Sequence, residues 1–358
     1  QLDESVRKRL RSDVPVGTSL SGGIDSSSVV ASIRAVAPEH VLHTFTASFP
    51  GRAIDEWDRA ALVGERYGVV LHRVEPTAAG LLEDLDRVVE HQAGPIESPT
   101  VYAQWCVMRE ARREGITVLL DGQGADETWG GYPKYLSAAF GQSLRHPATA
   151  VRMYRTWRHA GTLPPLDPRQ PVGLLAGPAT RARLRAALVR RRLRALGPAF
   201  DGVRTADPQG RPGRGPLLDR AATADLERVI LPRLLRYADR NSMAFSRELR
   251  LPFLDPDVAT SGLGSGWLEG FASGWTKAQL RRTAALRLPD SIVWRRDKTA
   301  YETPDAEWLA DGAVAEAIAG ATRDLHHAGL LAAPELGGLD PWRVLSLARL
   351  LECYGLQT

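Results

Sequence analysis

The sequence predicts an α/β protein with a parallel sheet covered by helices on both faces, followed by a large helical remainder. In the first third of the chain, short apolar runs alternate with helical patterns, which is typical of βαβ units. The run at residues 116–120 is almost entirely apolar, as in a strand that is buried on both faces. From about Lys134 onward no further strand is evident, and Leu, Ala and Arg recur at helical spacing.

The elements of the first third follow from apolar runs and from the residues that end them. We predict strands at residues 16–20, 41–49, 69–74 and 116–120. We predict helices at residues 26–36, 55–67 and 102–114, and one that begins at Thr77. Gly68 and Gly115 mark the ends of two of these helices.

This pattern divides the chain into three segments. Residues 1–135 are predicted to form the α/β core, residues 136–220 a helical insertion, and residues 221–358 a second helical region. Residues 200–216 are rich in Gly and Pro, which predicts a mobile loop.

Composition and charge limit the class of protein. Hydrophobic residues make up 44% and charged residues 25%, as in ordinary globular proteins. Cys106 and Cys353 lack metal-ligand or redox spacing, and no apolar run could span a bilayer, so we expect a cytoplasmic protein. Seven arginines at residues 181–194 alternate with leucines at helical spacing, which favours a solvated amphipathic helix over a surface for nucleic acid.

A Gly-rich loop follows the first predicted strand. Residues 16–20 run directly into Ser21-Gly22-Gly23, and a helix opens just after. Glycines let the backbone approach an anion, and N–H groups at a helix start face it. Three hydroxyl groups add donors: those of Ser21, Ser26 and Ser27. The loop therefore predicts a phosphate site, although it lacks the Gly-Lys-Ser/Thr ending of the usual P-loop.

A second loop follows the strand at residues 116–120. It reads Asp121-Gly122-Gln123-Gly124-Ala125-Asp126-Glu127 and continues to Gly130-Gly131-Tyr132. Loops at the carboxyl ends of parallel strands line one crevice, so both loops can face the same ligand. Asp25 and Asp126 then become candidate ligands for Mg²⁺ beside phosphates. The alternative is that Asp126 and Glu127 only cap the next helix.

Two later segments carry further charged groups. Residues 236–244 are charged and helical, and taken alone they predict a salt-bridged helix. Residues 294–304 taken alone are a charged loop. Near a triphosphate, however, Lys298 would neutralise the charge that develops as pyrophosphate leaves.

In combination, these motifs resemble one family: the synthetase domain of class B, glutamine-dependent asparagine synthetases. The resemblance rests on Ser21–Ser26, on Gly122–Glu127 with the Gly-Gly-Tyr tail, on the Asp239–Ala244 run, on Arg250–Asp255, and on Lys298 with Pro304. These motifs span residues of about 10–310 in the family's order, and residues 342–351 resemble its terminal helix. Residues of about 140–220 carry no recognised motif.

The resemblance implies a fold, a reaction and a set of site residues. The fold would be a PP-loop-type (adenine nucleotide α-hydrolase-like) doubly wound sheet. With ATP and Mg²⁺, the enzyme would adenylate a carboxylate (the aspartate side chain in the family) and release pyrophosphate. Ammonia would then attack to give an amide and AMP. Lys298 would stabilise the transition state, and Asp25 and Asp126 would bind Mg²⁺. The implied nucleotide contacts are Ser19, Leu20, Ser21, Gly22, Gly23, Asp25, Ser26, Ser27, Ala47, Asp121 and Gly122.

The sequence also departs from the family's pattern. Gln123 stands where several members carry Glu, and an amide cannot act as a base, so either Glu248 assists or no strong base is needed. Asp121 replaces a Ser of some members, and Ala300-Tyr301 replace a more usual Gly-Phe. These changes affect the expected identity of the carboxylate and of the amine more than they affect the expected adenylation step.

The family normally carries a glutaminase domain with a terminal Cys nucleophile, and none of the motifs in this sequence corresponds to that domain. Neither Cys106 in a predicted helix nor Cys353 near the end suits that part. The chain alone would use free ammonia or another amine, or a glutaminase domain or subunit would supply ammonia. A homo-oligomer is compatible with the sequence. Two alternatives stay open: a relative that forms a different amide, as in natural-product amidation or peptide macrocyclisation, and a non-catalytic nucleotide-binding module.

Overall fold

A five-stranded parallel sheet forms the centre of the protein. The computed structural model describes residues 1–144, 146–160, 187, 193–200, 217–266, 270–271, 273–296 and 301–355. The strands are β1 (Val16–Ser19), β2 (His43–Ala47), β3 (Val70–Val74), β4 (Val118–Leu120) and β5 (Glu248–Arg250). Their order across the sheet is β3-β2-β1-β4-β5, and every pair is parallel. The predicted parallel sheet is confirmed.

Helices flank this sheet in the order of the chain. The first eight are α1 (Leu2–Arg9), α2 (Ile24–Val36), α3 (Trp57–Tyr67), α4 (Ala78–Gln92), α5 (Thr100–Arg113), α6 (Ala125–Thr128), α7 (Pro133–Ser143) and α8 (Pro147–Ala160). The later ones are α9 (Leu217–Ala224), α10 (Leu231–Ala244), α11 (Pro256–Leu263), α12 (Ala278–Ala284), α13 (Asp290–Val293), α14 (Asp305–Ala310), α15 (Gly312–His327) and α16 (Pro341–Cys353). A π-helical turn, Asp225–Val229, links α9 to α10.

The two faces of the sheet bury separate cores. Leu119 of β4 packs in a cluster with Trp105 of α5 and with residues of α4, α15 and α16. Its neighbours Val118 and Leu120 pack in a second cluster with Val29 of α2 and residues of α1, α11 and α12. Alternate residues of one strand therefore point into different cores, which confirms helices on both faces. A third cluster joins α7, α8 and α9.

The fifth strand corrects one expectation. No strand was expected beyond residue 134, yet β5 pairs with β4 and extends the sheet. Three residues, Glu-Leu-Arg, are too few to show an alternating pattern, and the pairing comes from a strand far away in sequence. Three other expectations lie outside the described residues: the loop at 201–216, most of the arginine-rich stretch, and Lys298. Within the described part of the chain, no helix is long and apolar enough to cross a membrane.

The segment Arg250–Asp255 fastens α1 to the edge of the sheet. The Arg250 guanidinium donates to the carbonyl of Arg9 at 2.6 Å. The carboxylate of Asp255 accepts from the backbone N–H of Asp257, capping α11, and pairs with Arg9 at 3.0 Å. The arrangement explains this motif as an anchor for the fold.

Helix packing explains one residue of the run Asp239–Ala244. Asn241 is fully buried where α10 crosses α4 and α5. Its amide donates to the carbonyl of Val101 at 2.9 Å and to Gln104 at 3.0 Å, and its oxygen accepts from Gln92 at 2.8 Å. A buried amide of this kind must be hydrogen-bonded, so Asn241 fixes how the three helices cross.

Candidate active site

The site lies where the direction of strand order reverses. From β1 the chain proceeds to β2 and β3 on one side, whereas β4 lies on the other side of β1. The loops after β1 and β4 therefore diverge and leave a crevice between them, which is the usual ligand position in a doubly wound sheet. These are the two Gly-rich loops that the sequence singles out.

The first loop is held by its own serines. The backbone N–H of Ser21 donates to the hydroxyl of Ser26 at 3.1 Å, and the two hydroxyl oxygens are 3.2 Å apart. The N–H of Gly23 donates to the Ser21 hydroxyl at 3.3 Å. Gly23 is the N-cap of α2 and provides no side-chain cap. The N–H groups at the start of α2 are therefore available to an anion.

Close packing explains one glycine of this loop. Gly22 has a φ of +66°, and an added Cβ would lie 2.5 Å from Cβ of Arg59 and 2.7 Å from the nitrogen of Ala60. Ser27 is fully buried, and its hydroxyl has no hydrogen-bond partner among the described residues. A buried hydroxyl without a partner is uncommon, and it lies in the turn that the sequence assigns to phosphate.

The second loop rests directly on the first. A Cβ added at Gly122 would lie 3.0 Å from Cβ of Asp25 and 3.0 Å from the nitrogen of Ser26. Asp121 accepts from the N–H of Gln123 at 3.0 Å. Burial raises the pKa of Asp121, while hydrogen bonds from the Ser19 hydroxyl and from backbone N–H groups oppose the shift. The two loops thus form one wall that contains several carboxyl groups.

A buried lysine brings the two predicted metal ligands together. The Nζ atom of Lys277 lies 2.6 Å from Oδ2 of Asp25 and 2.6 Å from Oδ1 of Asp126. The Lys277 side chain is only 3% exposed, and its backbone has a φ of +51° just before α12. Charge-assisted contacts on both sides satisfy an ammonium group that would otherwise be costly to bury.

Gly131 makes room for this ion pair. A Cβ at this position would overlap Oδ1 of Asp126 and Cε of Lys277, and would lie 2.7 Å from Cγ of Asp126. The N–H of Gly131 donates to the carbonyl of Asp126 at 2.8 Å. Glycine is therefore required at position 131 of the Gly-Gly-Tyr tail, because a side chain there would collide with the ion pair.

The neighbouring Glu127 is held from the other side. Its carboxylate accepts from the hydroxyl of Tyr132 at 2.6 Å, and the residue is 1% exposed. α6 has Gly124 as its N-cap, without a side-chain cap. The geometry therefore does not support the alternative in which Asp126 and Glu127 only cap a helix.

Glu127→Gln is expected to stabilise the protein in a pH-dependent way. Burial raises the pKa of Glu127 above its ordinary value, so its ionisation costs stability above the folded-state pKa. The amide keeps the shape and avoids that cost. We expect a gain in Tm at pH 8 that shrinks as the pH falls through the raised pKa, measured by thermal unfolding. A gain that is equal at pH 8 and pH 4.5 would contradict this explanation.

Arginines lie beside the same cluster. Arg281 is 5% exposed, donates to the carbonyl of Thr276 at 2.8 Å, and stacks on Trp275 with its Cζ 5.0 Å from the ring centroid. Arg296 lies over the same ring at 4.9 Å. Burial lowers the pKa of Arg281, while Asp25 and Asp126 oppose the shift. The carboxylates therefore face a positive field from more than one side.

Sequence reasoning found both loops but missed Lys277 and Arg281. Lys277 lies 252 residues after Asp25 and has no glycine-rich motif beside it. The only local signal is Lys277 followed four residues later by Arg281, at the start of a helical pattern. Such a pair is common on solvated helices.

The remaining predicted residues fall in different places. Ser19 and Ala47 are the last residues of β1 and β2, on the side of the sheet that carries the loops. The Oε1 atom of Gln123 is buried and has no hydrogen-bond partner in the described part of the chain. Glu248 is the first residue of β5, opposite Val118, and is exposed and paired with Arg250 at 2.7 Å. The structure does not bring Glu248 to the cluster, so it does not support a role as a substitute base.

Fold and site together define a PP-loop-type α/β domain, with its loops at the β1–β4 switch point. A family model described as "Asparagine synthase" matches residues 1–352. The chain belongs to the asparagine synthase family.

Curated relatives agree with this assignment. A putative asparagine synthetase [glutamine-hydrolyzing] of Mycobacterium tuberculosis is 30% identical over 333 residues, which are 88% of this chain and 49% of that protein. Asparagine synthetase [glutamine-hydrolyzing] 1 of Bacillus subtilis is 27% identical, over 86% of this chain and 49% of that protein. Asparagine synthetase B [glutamine-hydrolyzing] of Escherichia coli is 30% identical over 43% of this chain and 30% of its own length. The chain spans about half the length of the first two relatives.

Proposed function

We propose that the protein uses ATP and Mg²⁺ to convert a carboxylate into an acyl-adenylate, which ammonia or an amine then converts into an amide. The observation that carries the proposal is the convergence of Asp25, Asp126 and Lys277 between the two loops. A phosphate-binding turn alone would serve many reactions. Two carboxylates and a buried cation beside it suit the cleavage between the α- and β-phosphates, because departing pyrophosphate needs charge neutralisation.

The two loops divide the nucleotide between them. Ser21, Gly22, Gly23, Ser26 and Ser27 would hold the phosphates through hydroxyl and backbone N–H groups. The ends of β1 and β2, at Ser19, Leu20 and Ala47, would contact the adenine. Asp121 and Gly122 would lie beside the α-phosphate or the activated acid.

The carboxylates fit a divalent cation. Asp25 and Asp126 already converge on one cation, and Gly131 leaves that space open. When bound, Mg²⁺ would offset phosphate charge and orient the triphosphate. Lys277 would then give up at least one carboxylate and turn its ammonium group toward the phosphates.

The carboxylate that we propose first is the side chain of aspartate, because the curated relatives are named as asparagine synthetases. A second candidate is the formation of a different amide. It is favoured by Gln123, whose buried Oε1 has no partner in the described residues and cannot act as a base. Such an amide group is suited to hydrogen-bonding a neutral or bulkier nucleophile or acid.

ATP–pyrophosphate exchange with a panel of carboxylates tests the proposal. With aspartate, Mg²⁺ and ammonium, we expect exchange, and asparagine and AMP in equal amounts. Exchange with another acid and no asparagine would replace aspartate by that acid. Failure of exchange with every acid, with ATP still bound, would leave only a nucleotide-binding module.

The source of ammonia is part of the proposal. The relatives are named as glutamine-hydrolyzing, and this chain's Cys106 is buried in α5. We therefore propose that ammonia comes from a glutaminase domain or subunit. The chain alone should use ammonium but not glutamine, and amide formation from glutamine by the purified chain would refute this division.

Lys298→Ala should lower pyrophosphate release at least about 100-fold, because the substituted side chain would no longer offset charge on the leaving group. ATP affinity should change only a few-fold, as measured by equilibrium dialysis. Lys8→Ala on α1 is the control, because this side chain is 46% exposed, and it should leave both quantities unchanged. Unaltered turnover of Lys298→Ala would remove this residue from the mechanism.

A further inference from the structure

A group of two histidines and a glutamate lies apart from the nucleotide site. His43 is the first residue of β2, His72 lies in the middle of β3, and Glu114 ends α5. His43 pairs with Val70 and Phe45 pairs with His72, so both histidines project from the same face of the sheet. That face is the one on which α5 packs.

The three side chains are close enough to share one ion. Nδ1 of His43 and Nε2 of His72 are 2.8 Å apart, and Nδ1 of His72 is 3.9 Å from Oε2 of Glu114. One nitrogen from each imidazole and one carboxylate oxygen all lie within 4.8 Å of one another. The two ring planes are 13° apart and the centroids 5.1 Å apart, so the imidazoles meet edge to edge through these two nitrogens.

We propose that His43, His72 and Glu114 form a binding site for Zn²⁺ or a similar late transition-metal ion. Two imidazole nitrogens and one carboxylate form a ligand set that zinc takes, with water in the fourth position. Two nitrogens on one zinc ion are about 3.3 Å apart, so the rings need to separate by about half an ångström and to tilt until both lone pairs point at the ion. The ion replaces the proton that lies between the two nitrogens, and that proton moves by way of solvent to the other nitrogen of the same imidazole, so both rings stay neutral.

The surroundings favour a preformed site. Phe45, which is 1% exposed, stacks on the face of His72 with ring centroids 4.8 Å apart, and His43 contacts the edge of the same imidazole, so its ring is held in place. Arg113 pairs with Glu114 at 3.2 Å but is 70% exposed, so it can turn away into solvent. Glu110, which also pairs with Arg113, adds a second negative charge nearby.

The site is separate from the nucleotide loops. His43 begins β2, whereas the predicted adenine contact Ala47 ends it, and four residues of strand span about 13 Å. A metal ion here would join the end of α5 to β2 and β3. We therefore expect it to stabilise the sheet without taking part in the reaction.

Zinc titration of tag-free protein, stripped with EDTA and held in excess Mg²⁺, tests the site. Calorimetry should show one tight Zn²⁺ per chain. His72→Gln should weaken its binding at least about 100-fold and Glu114→Gln at least about tenfold. His327→Gln, on the exposed end of α15, is the matched control and should bind like the wild type.

Two further measurements keep the result unambiguous. Circular dichroism should show that Glu114→Gln is folded, because this side chain is partly exposed and makes no backbone hydrogen bond in the described structure. Co²⁺ bound in place of Zn²⁺ should give the visible absorption of a four-coordinate ion, and this absorption should vanish in His72→Gln. Equal zinc affinity of the wild type and His72→Gln would overturn the proposal.

Discussion

Replacing Lys277 by alanine is expected to destabilise the protein by about 3 kcal/mol and to lower pyrophosphate exchange at least about 100-fold. Its ammonium group lies 2.6 Å from carboxylates of both Asp25 and Asp126 and is the shared counter-ion that holds them together. Without it, two like charges face each other at the junction of the two loops. Urea unfolding and exchange assays measure the two losses.

Mg²⁺ separates the structural part of this effect from the catalytic part. In the wild type the metal competes with the ammonium group, whereas in Lys277→Ala it meets the carboxylates alone. We therefore expect Mg²⁺ to raise the Tm of the variant more than that of the wild type, while exchange stays low. Lys8→Ala is the control because Lys8 is 46% exposed, and it should change stability by less than about 0.5 kcal/mol. No difference in the response to Mg²⁺ would argue against a metal at Asp25 and Asp126.

Gly131→Ala is expected to abolish pyrophosphate exchange and to cost about 2–4 kcal/mol of stability. The added methyl group would occupy the space of the Asp126 carboxylate and the Lys277 stem. Either the ion pair breaks or the loop that carries Asp126 moves. Exchange assays with thermal unfolding measure both, and Mg²⁺ titration should show weaker binding.

Gly320→Ala provides the comparison for this variant. Gly320 lies inside α15, and the nearest heavy atom to an added Cβ is 4.0 Å away. This variant should be neutral or more stable by about 0.5–1 kcal/mol, with full activity. If Gly131→Ala behaved in the same way, the close packing around Asp126 would not matter for the site.

Local signals were enough to predict four of the five strands and the two loops. Ser21-Gly22-Gly23 and Asp121-Gly122 each follow a buried strand. In both places the glycines and the carboxylates lie within a few residues of the strand end, so the local sequence alone indicates a ligand-binding loop. The convergence of Asp25 and Asp126 then followed from the geometry of parallel strands. The family assignment rests on the same stretches and is confirmed.

Features made by distant segments could not be predicted in this way. β5 is only three residues long, and it forms because it pairs with the free edge of β4. Lys277 contacts Asp25 from a segment of the chain that carries no recognisable motif. Sequence also cannot separate residues that build the fold from those that face the ligand. Asn241 proved to lie in a buried junction of helices, and Glu248 at an exposed strand start.

The late arrival of β5 has a consequence for biosynthesis. Leu120 ends β4, and Glu248 follows nearly 130 residues later, so the outer backbone of β4 has no partner strand while that length is translated. An unpaired β-edge on a nascent chain is a template for association with other chains. Ribosome-bound intermediates halted before residue 248 should therefore need a holding chaperone, and slowed translation between the two strands should lower the yield of native protein.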